Sequence, residues 1–370
     1  MSAPSIVWFT DLRGDQKSSL LDRIDTMLTR SRLDQAELDR RLVALKIHFG
    51  EKGNTAFVRP MYAARIAAFF LARNAKPFLT DTNTLYVGSR AESVSHHLTA
   101  VEHGFDPAVT GAPVIIAGGL RGTSAVAVPV NGKHFSKVEI APELIEADVV
   151  VGITHFKGHE MSGFGGTIKN FGMGGAARSG KLAMHSRVNP VIHTDSCTGC
   201  RLCGRWCAQE AIVYAEGKAV ISPERCVGCG ACLPTCPVGA IRIVWNEQTA
   251  DMQEKMAEYA WGCLKEHLDG RSLFFNFVTQ VSPMCDCYPF AGAPIVPDIG
   301  VLASHDPVAV DQASADLVKA SAGSTALPER DRAPGRDKFR SVHPKVDWER
   351  QLDHAASLGL GSREYRLERI

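Results

Sequence analysis

The chain reads as an α/β protein, a mainly parallel sheet flanked by helices, interrupted by a small cysteine-rich α+β insert. Two observations predict this. Apolar strand-like runs alternate with helical patterns of about 10–15 residues on both sides of the cysteines, as crossover-connected parallel strands require. Eight of the eleven cysteines then fall between positions 197 and 236, in two copies of one spacing.

In chain order, residues 41–47 read as a strand and 59–73 as an Ala-rich helix entered beside Pro60. Residues 77–80 are a short strand, 90–103 a helix ended by Gly104, and 113–117 and 148–154 buried-strand runs. Beyond the cysteines, 247–267 is a long helix, and 273–281 and 298–302 are strands. The helix 307–320 follows, with Asp306 as its cap and Pro307 at its first position. Residues 212–221 form a hairpin that turns at Glu216-Gly217-Lys218. Segment 321–345, rich in Arg, Asp and Pro, reads as an exposed connection, and 348–358 as a closing helix. The domain plan is therefore an α/β domain in two parts, 1–189 and 246–320, with an insert at 190–245 and a C-terminal extension at 321–370.

Composition narrows the function. The chain has 370 residues, 45% apolar and 22% charged, with a formal net charge of +1. No basic excess or basic aromatic stripe argues for nucleic acid. No apolar stretch approaches the roughly 18 residues that span a membrane. Residues 1–20 lack the charged-then-apolar pattern of a signal peptide. Eleven cysteines without an export signal point to a reducing cytoplasm.

Cys197, Cys200, Cys203 and Cys207 form C-x2-C-x2-C-x3-C, and Cys226, Cys229, Cys232 and Cys236 repeat it 29 residues later, followed by Pro237. Ala211-Ile212 and Ala240-Ile241 sit at the same offset after each run, as a duplicated half-domain would place them. Structural zinc more often uses two CxxC pairs with a longer spacer, and disulfides need an oxidising compartment, so both alternatives fit the spacing less well. The spacing resembles that of bacterial two-cluster ferredoxins, in which the fourth cysteine of each run ligates the other cluster. That resemblance implies one [4Fe-4S] cluster on Cys197, Cys200, Cys203 and Cys236, and a second on Cys226, Cys229, Cys232 and Cys207. Ala208 replaces the proline expected after the first run, which removes no ligand.

Immediately before the insert, at the end of the strand 148–154, three histidines, three lysines and eight glycines crowd about thirty residues. Open α/β sheets place ligands at such strand ends. Lys157, Lys169 and Lys181 are candidates to bind an anion. His159 is the first candidate for proton transfer, with His155 and His185 behind it. Gly163, Gly165 and Gly166 would let backbone approach a cofactor. Lys46 and His48, two residues apart at another strand end, join the binding set. Cys285-Asp286-Cys287 is a possible extra metal, cofactor or redox site. The stretch 298–311, with Asp298, His305, Asp306 and Asp311, is a further strand end. No Walker loop is present, and no GxGxxG follows a strand.

Lys46-Ile47-His48, Asp81-Thr82-Asn83-Thr84-Leu85-Tyr86, His155-Phe156-Lys157-Gly158-His159, the stretch 163–181, the cysteine insert, Cys285-Asp286-Cys287 and 298–311 together resemble the Fe-S centre branch of the family called domain of unknown function 362. The family implies an architecture and little chemistry. A more distant resemblance is to nickel-pincer lactate racemases, on His159 ten positions before Lys169 across Gly163-Phe164-Gly165-Gly166-Thr167-Ile168. It implies a catalytic histidine and a cofactor-bearing lysine, although Ile168 stands where those enzymes have arginine and the following Pro-Gly is absent.

The leading expectation is a cytoplasmic iron-sulfur oxidoreductase. It would pass single electrons between a partner protein, a ferredoxin or reductase, and an anionic small molecule held in the α/β domain. The alternatives are an electron carrier whose α/β domain only docks a partner enzyme, and a racemase- or lyase-like enzyme with non-catalytic clusters.

Overall fold

The computed structural model describes residues 4–14, 18–33 and 37–370. Its centre is an eight-stranded sheet of β1 (Ser5–Asp11), β2 (Leu42–Ile47), β3 (Lys76–Thr82), β4 (Val114–Ala117), β5 (Val149–His155), β6 (Ser272–Val278), β7 (Gly300–Ser304) and β8 (Tyr365–Arg369), in the order β8-β1-β7-β6-β5-β2-β3-β4. Seven strands run one way; β7 alone is antiparallel to both neighbours. The predicted α/β class, a mainly parallel sheet flanked by helices, is the observed one.

The central strands are built for burial on both faces. Val149-Val150-Val151 in β5 and Leu273-Phe274-Phe275 in β6 have no polar face, and every residue of both strands is buried. Covered parallel strands have such uninterrupted apolar runs. Strand periodicity then divides the side chains between two apolar clusters. Ala44, Val150, Phe274 and Leu302 face one layer. That layer holds α4 (Thr167–Gly175), α6 (Thr249–Leu264), α7 (Pro307–Ala320) and α8 (Glu349–Ser357). Val43, Val149, Val151, Phe275 and Val301 face the other, where α1 (Leu20–Arg30) and α2 (Pro60–Leu71) pack. The remaining labelled helices are α3 (Ser93–Glu102), beside β4, and α5 (Arg178–His185), which leads toward the insert.

Three elements escaped the sequence reading. β1 and β8 pair with each other, so the segment 321–370 carries the edge strand of the main sheet and α8 of its core. α1 had a readable signal: Ser19 and Asp22 form a reciprocal capping box. The run 113–117, expected to be buried, is the opposite edge, with Ile115 exposed.

The connection from β2 goes to β3 on one side, and that from β5 to β6 on the other, while β2 and β5 are neighbours. The crevice at their carboxyl ends is thus a topological switch point, where ligands bind in open α/β sheets.

Residues 191–242 carry the insert. Val191–Ile192 pairs with Ile241–Arg242, and Ile212–Ala215 with Lys218–Ile221. Glu216 and Gly217 both have positive φ (50° and 79°), the two-residue hairpin turn the sequence indicated. The duplication is visible in hydrogen bonds: Ser222 N donates to Ala211 O, and His193 N to Ala240 O, at the same 29-residue offset. No helix among the described residues is long and apolar enough to cross a membrane.

Candidate functional site

A cavity of about 920 Å³ opens at the switch point. It is lined from the ends of β2, β3 and β5, from α4 and α5, from the 84–90 loop and from Cys287, Tyr288 and Pro289. Lys46, His48, His155, Lys157, His159, Lys169, Lys181 and His185 all reach it.

At its floor, Lys46 Nζ donates to Asp81 Oδ1 (2.9 Å) and Asn170 Oδ1 (2.8 Å), all three buried. Gly174 permits this, since a Cβ there would stand 2.6 Å from Lys46 Nζ. Burial alone would raise the Asp81 pKa, but Lys46, then His48, His96 and Arg90, hold it far below the usual carboxylate range. Arg90, read from sequence only as a helix start, is a buried hub. It donates to Glu51 Oε2 (3.2 Å) and Tyr86 Oη (2.7 Å) and lies 2.9 Å from His48 Nε2.

Asp286 is completely buried, with Lys157 Nζ at 3.2 Å, His155 Nδ1 at 3.4 Å and His48 Nδ1 at 3.5 Å. Burial opposes its ionisation, but His48, Lys157 and His155 keep its pKa well below the ordinary value. Lys157 also donates to His155 O, so it belongs to this cage more than to the open cavity.

The histidines divide by their hydrogen bonds. His159 Nδ1 accepts the backbone N–H groups of Met161 and Ser162, each at 3.2 Å, which fixes its proton on Nε2. Burial and the nearby Lys169 push its pKa well down, so it is a neutral imidazole that offers an N–H. His155 Nε2 faces the carbonyls of Thr279 (3.0 Å) and Gln280 (3.2 Å) and is therefore a donor too. His185 Nδ1 has no partner among the described residues, and its ring meets Trp245 edge-on at 5.0 Å. Burial, Lys169 and Lys181 push its pKa down to about 3.

Lys181 Nζ donates to Thr82 Oγ1 (2.5 Å) and Asn83 O (2.6 Å), and burial drives its pKa well down. Lys169 Nζ lies 3.4 Å from Cys285 Sγ. Burial opposes its charge, but Cys285, Cys287 and Asp286 outweigh that and raise its pKa.

Two sequence expectations change. Gly163, Gly165 and Gly166 do not line the cavity: a Cβ on Gly163 or Gly166 would collide with Trp348 or Asp311, and one on Gly165 would sit tight against Lys169 Cδ at 3.0 Å. Their smallness serves packing of the 157–165 ribbon, not approach to a cofactor. The stretch 298–311 also stays outside the cavity. Because β7 runs antiparallel, its carboxyl end points to the opposite edge, where His305 meets Ser272 O and Ser31 O and Asp306 caps α7. Asp298 accepts from Gln280 N, and Asp311 from the N–H groups of Thr167 and Ile168, at the start of α4.

In the insert, one small cavity is lined by Cys197, Cys200, Cys203 and Cys236, the crosswise set implied by the ferredoxin spacing. Sulfur atoms there already accept backbone N–H groups: Cys197 from Gly199 (3.4 Å) and Ala219 (3.5 Å), and Cys236 from Ala240 (3.2 Å). Cys207 accepts from Ala211 at the equivalent 3.2 Å. The bonds from Ala219 and Gly199 lower the Cys197 pKa, as a thiolate ligand requires. Cys232 is pushed up to about 12 by burial and by the Cys229 and Cys226 thiols beside it. Crowded thiols of this kind suit a shared cationic metal centre, so the residues fit iron-sulfur clusters.

α5 lies between insert and cavity. Leu182 belongs to the insert core, while Lys181 and His185 line the cavity. Gly230, with φ 68°, sits so close to Arg178 that a Cβ would lie 3.0 Å from Arg178 Cγ. The buried Arg178 guanidinium donates to Thr84 O (2.7 Å) on the cavity wall, and to Ala91 O and Arg121 O (2.9 Å) behind it.

No curated protein matches this chain. Among solved structures, it is similar to the lactate racemase apoprotein from Thermoanaerobacterium thermosaccharolyticum, at 12% identity and a TM-score of 0.38, over 74% of this chain and 51% of that one. A crystal structure of a Thermotoga maritima protein gives 10% identity and a TM-score of 0.37, over 93% of this chain and 61% of that one. This chain therefore spans about half the length of the first and three fifths of the second. Residues 43–316, the greater part of the chain, match the family described as Domain of unknown function (DUF362), and the chain belongs to that family.

Proposed function

We propose that this chain is an iron-sulfur redox protein of a reducing, cytoplasmic compartment. It passes single electrons to or from an anionic small molecule in the switch-point cavity. Cys197, Cys200, Cys203 and Cys236 would hold one [4Fe-4S] cluster, and Cys226, Cys229, Cys232 and Cys207 the other. When bound, such clusters supply one-electron transfer. The observation that carries the reading is α5, a single helix with Leu182 in the insert core and Lys181 and His185 in the cavity wall.

The cavity's own residues set the ligand class. Six lysine and arginine side chains line it, against three carboxylates. An anion fits that balance, and Lys169, facing the cavity, is the cation best placed to meet it. His159 Nε2–H would donate a hydrogen bond to the bound molecule. His185, with a free ring nitrogen, is the better proton relay. Cys200, exposed on the insert, marks the side where a ferredoxin or reductase would dock.

The test is iron and labile-sulfide analysis of protein purified without air, followed by electron paramagnetic resonance of the reduced form with and without small dianions. About eight irons and eight sulfides per chain, and a signal that shifts with the anion in wild type but not in Lys169→Ala, are expected. Zinc in place of iron would overturn the reading. A cluster signal indifferent to every anion would leave the α/β domain as a docking module for a partner enzyme.

A further inference from the structure

Beyond single-electron transfer, the loop after β6 carries two cysteines that the clusters do not use. We propose that Cys285 and Cys287 form a dithiol–disulfide couple in the cavity wall, and that its substrate is a small anionic disulfide. The proposal rests on the redox reading above for its supply of electrons.

The geometry is that of a working pair. Cys285 is completely buried, whereas Cys287 is half-buried and lines the cavity. The Cys287 backbone N–H points to Cys285 Sγ at 3.4 Å, and that sulfur lies 3.5 Å from Asp286 Oδ1. The loop thus turns Cys287 back onto the Cys285 sulfur. The loop that holds them is pinned on three sides: Asp286 lies in its cage of Lys157, His155 and His48, Asp286 O accepts from Glu51 N (2.9 Å), and Cys287 O accepts from Tyr86 Oη (2.9 Å).

Lys169 decides between a redox pair and a metal site. Its ammonium, 3.4 Å from Cys285 Sγ, neutralises a thiolate there and repels a metal cation approaching the same sulfur. Two merely packed cysteines would need neither the ammonium nor an opening onto a cavity. Lys169 and the other lining cations also supply the attraction for an anionic substrate.

The chemistry balances without another cofactor. In the reduced pair, Cys287 passes its proton to Cys285 as it attacks one sulfur of the substrate. The substrate S–S bond breaks, a mixed disulfide forms at Cys287, and the first substrate thiolate leaves. Cys285 then gives that proton to the second substrate sulfur as it attacks Cys287 Sγ, a substrate thiol leaves, and the Cys285–Cys287 bond closes. Two electrons and one proton have moved to the substrate, which departs as one thiolate and one thiol. Two single-electron donations from an iron-sulfur donor, with one proton, return the intramolecular disulfide to a thiolate and a thiol. Two one-electron centres thus match one two-electron couple.

The experiment is anaerobic thiol mapping of the full chain. Protein equilibrated across a range of glutathione redox buffers is alkylated, and the 285–287 peptide is weighed, with iron content measured on the same samples. We expect a fully reduced peptide with two alkyl groups, and an oxidised one with none and an internal disulfide. Cys285→Ser exposed to oxidised glutathione, itself an anionic disulfide, should retain one glutathione on Cys287. Wild type should retain none. Cys287→Ser should retain none and lose the disulfide. Two free thiols at every potential would overturn the proposal, as would a stoichiometric metal on the pair. Because iron is counted separately, loss of the couple with eight irons intact sinks this proposal alone.

Discussion

The cysteine insert and the switch-point cavity solve the same problem, the placing of reactive groups, in opposite ways. The insert has a core of nine buried side chains among the described residues, two of them cysteines and two, Leu85 and Leu182, lent by the main domain. The cavity opens at the end of an eight-stranded sheet with a large apolar cluster on either face, and its Lys46 and Lys157 are paired with Asp81 and Asp286 before any ligand arrives. A region with so little apolar burial is expected to depend on the centres proposed for its thiols, whereas a region framed by a sheet is preorganised by the fold.

The largest expected effect separates the two outright. Removing the proposed iron with a chelator should unfold the insert and leave the sheet standing, so that limited proteolysis cuts within 190–245 and nowhere else at first. Simultaneous loss of the whole far-ultraviolet circular dichroism signal would break the distinction. Next, Asp286→Asn should cost the α/β domain about 3–5 kcal/mol, because Lys157 would be left buried without its partner. Urea denaturation measures this, and an unchanged cluster absorbance would show that the damage stays on one side of α5. A change near zero would mean that the cage is not a source of stability.

Arg178 tests the contact between the regions. Arg178→Gln removes charged hydrogen bonds to Thr84 O and Ala91 O, at a cost of about 1.5–3 kcal/mol. It should also perturb the cluster proposed on Cys226, Cys229, Cys232 and Cys207, read as a shifted reduction potential. An unaltered potential would leave Arg178 as packing only.

The smallest effect is a pH slope. Burial drives the pKa values of His48, His96, His159 and His185 below their ordinary value, with neighbouring cations adding to it. The unfolded chain binds protons below about pH 6.5 that the folded chain refuses, so stability falls as pH drops through that value. For His185 the loss continues down to about pH 3. Each histidine contributes at most about 1.4 kcal/mol per pH unit. His185→Gln should flatten the slope by one proton's worth in urea midpoints measured from pH 7 to pH 4. An unchanged slope would mean that His185 titrates normally in the folded protein.

Much of this was legible in the chain. The cysteine repeat needs only local spacing, and Glu216-Gly217 dictates its turn through two adjacent residues. Lys46, His48, Lys157, His159, Lys169 and Lys181 sit at strand ends or follow one, so alternating strands and helices already implied that they meet. Arg90 was missed because a buried arginine is defined by its partners Glu51, Tyr86 and His48, none of which is local to a helix signal. The terminal strands were missed because each is short, and each has value only once paired with the other.

The sequence by itself determined the class of fold, the repeated cysteine spacing and the polar segments of the site, since all of these follow from periodicity and spacing. Tertiary structure alone decided which strand ends share an edge. β7 turns antiparallel between β1 and β6, and that one reversal carries His305 and Asp306 to the far side of the sheet, away from the cavity. It also decided protonation. Which nitrogen of His159 carries the proton is fixed by two backbone N–H groups, and such contacts exist only once the chain has closed on itself.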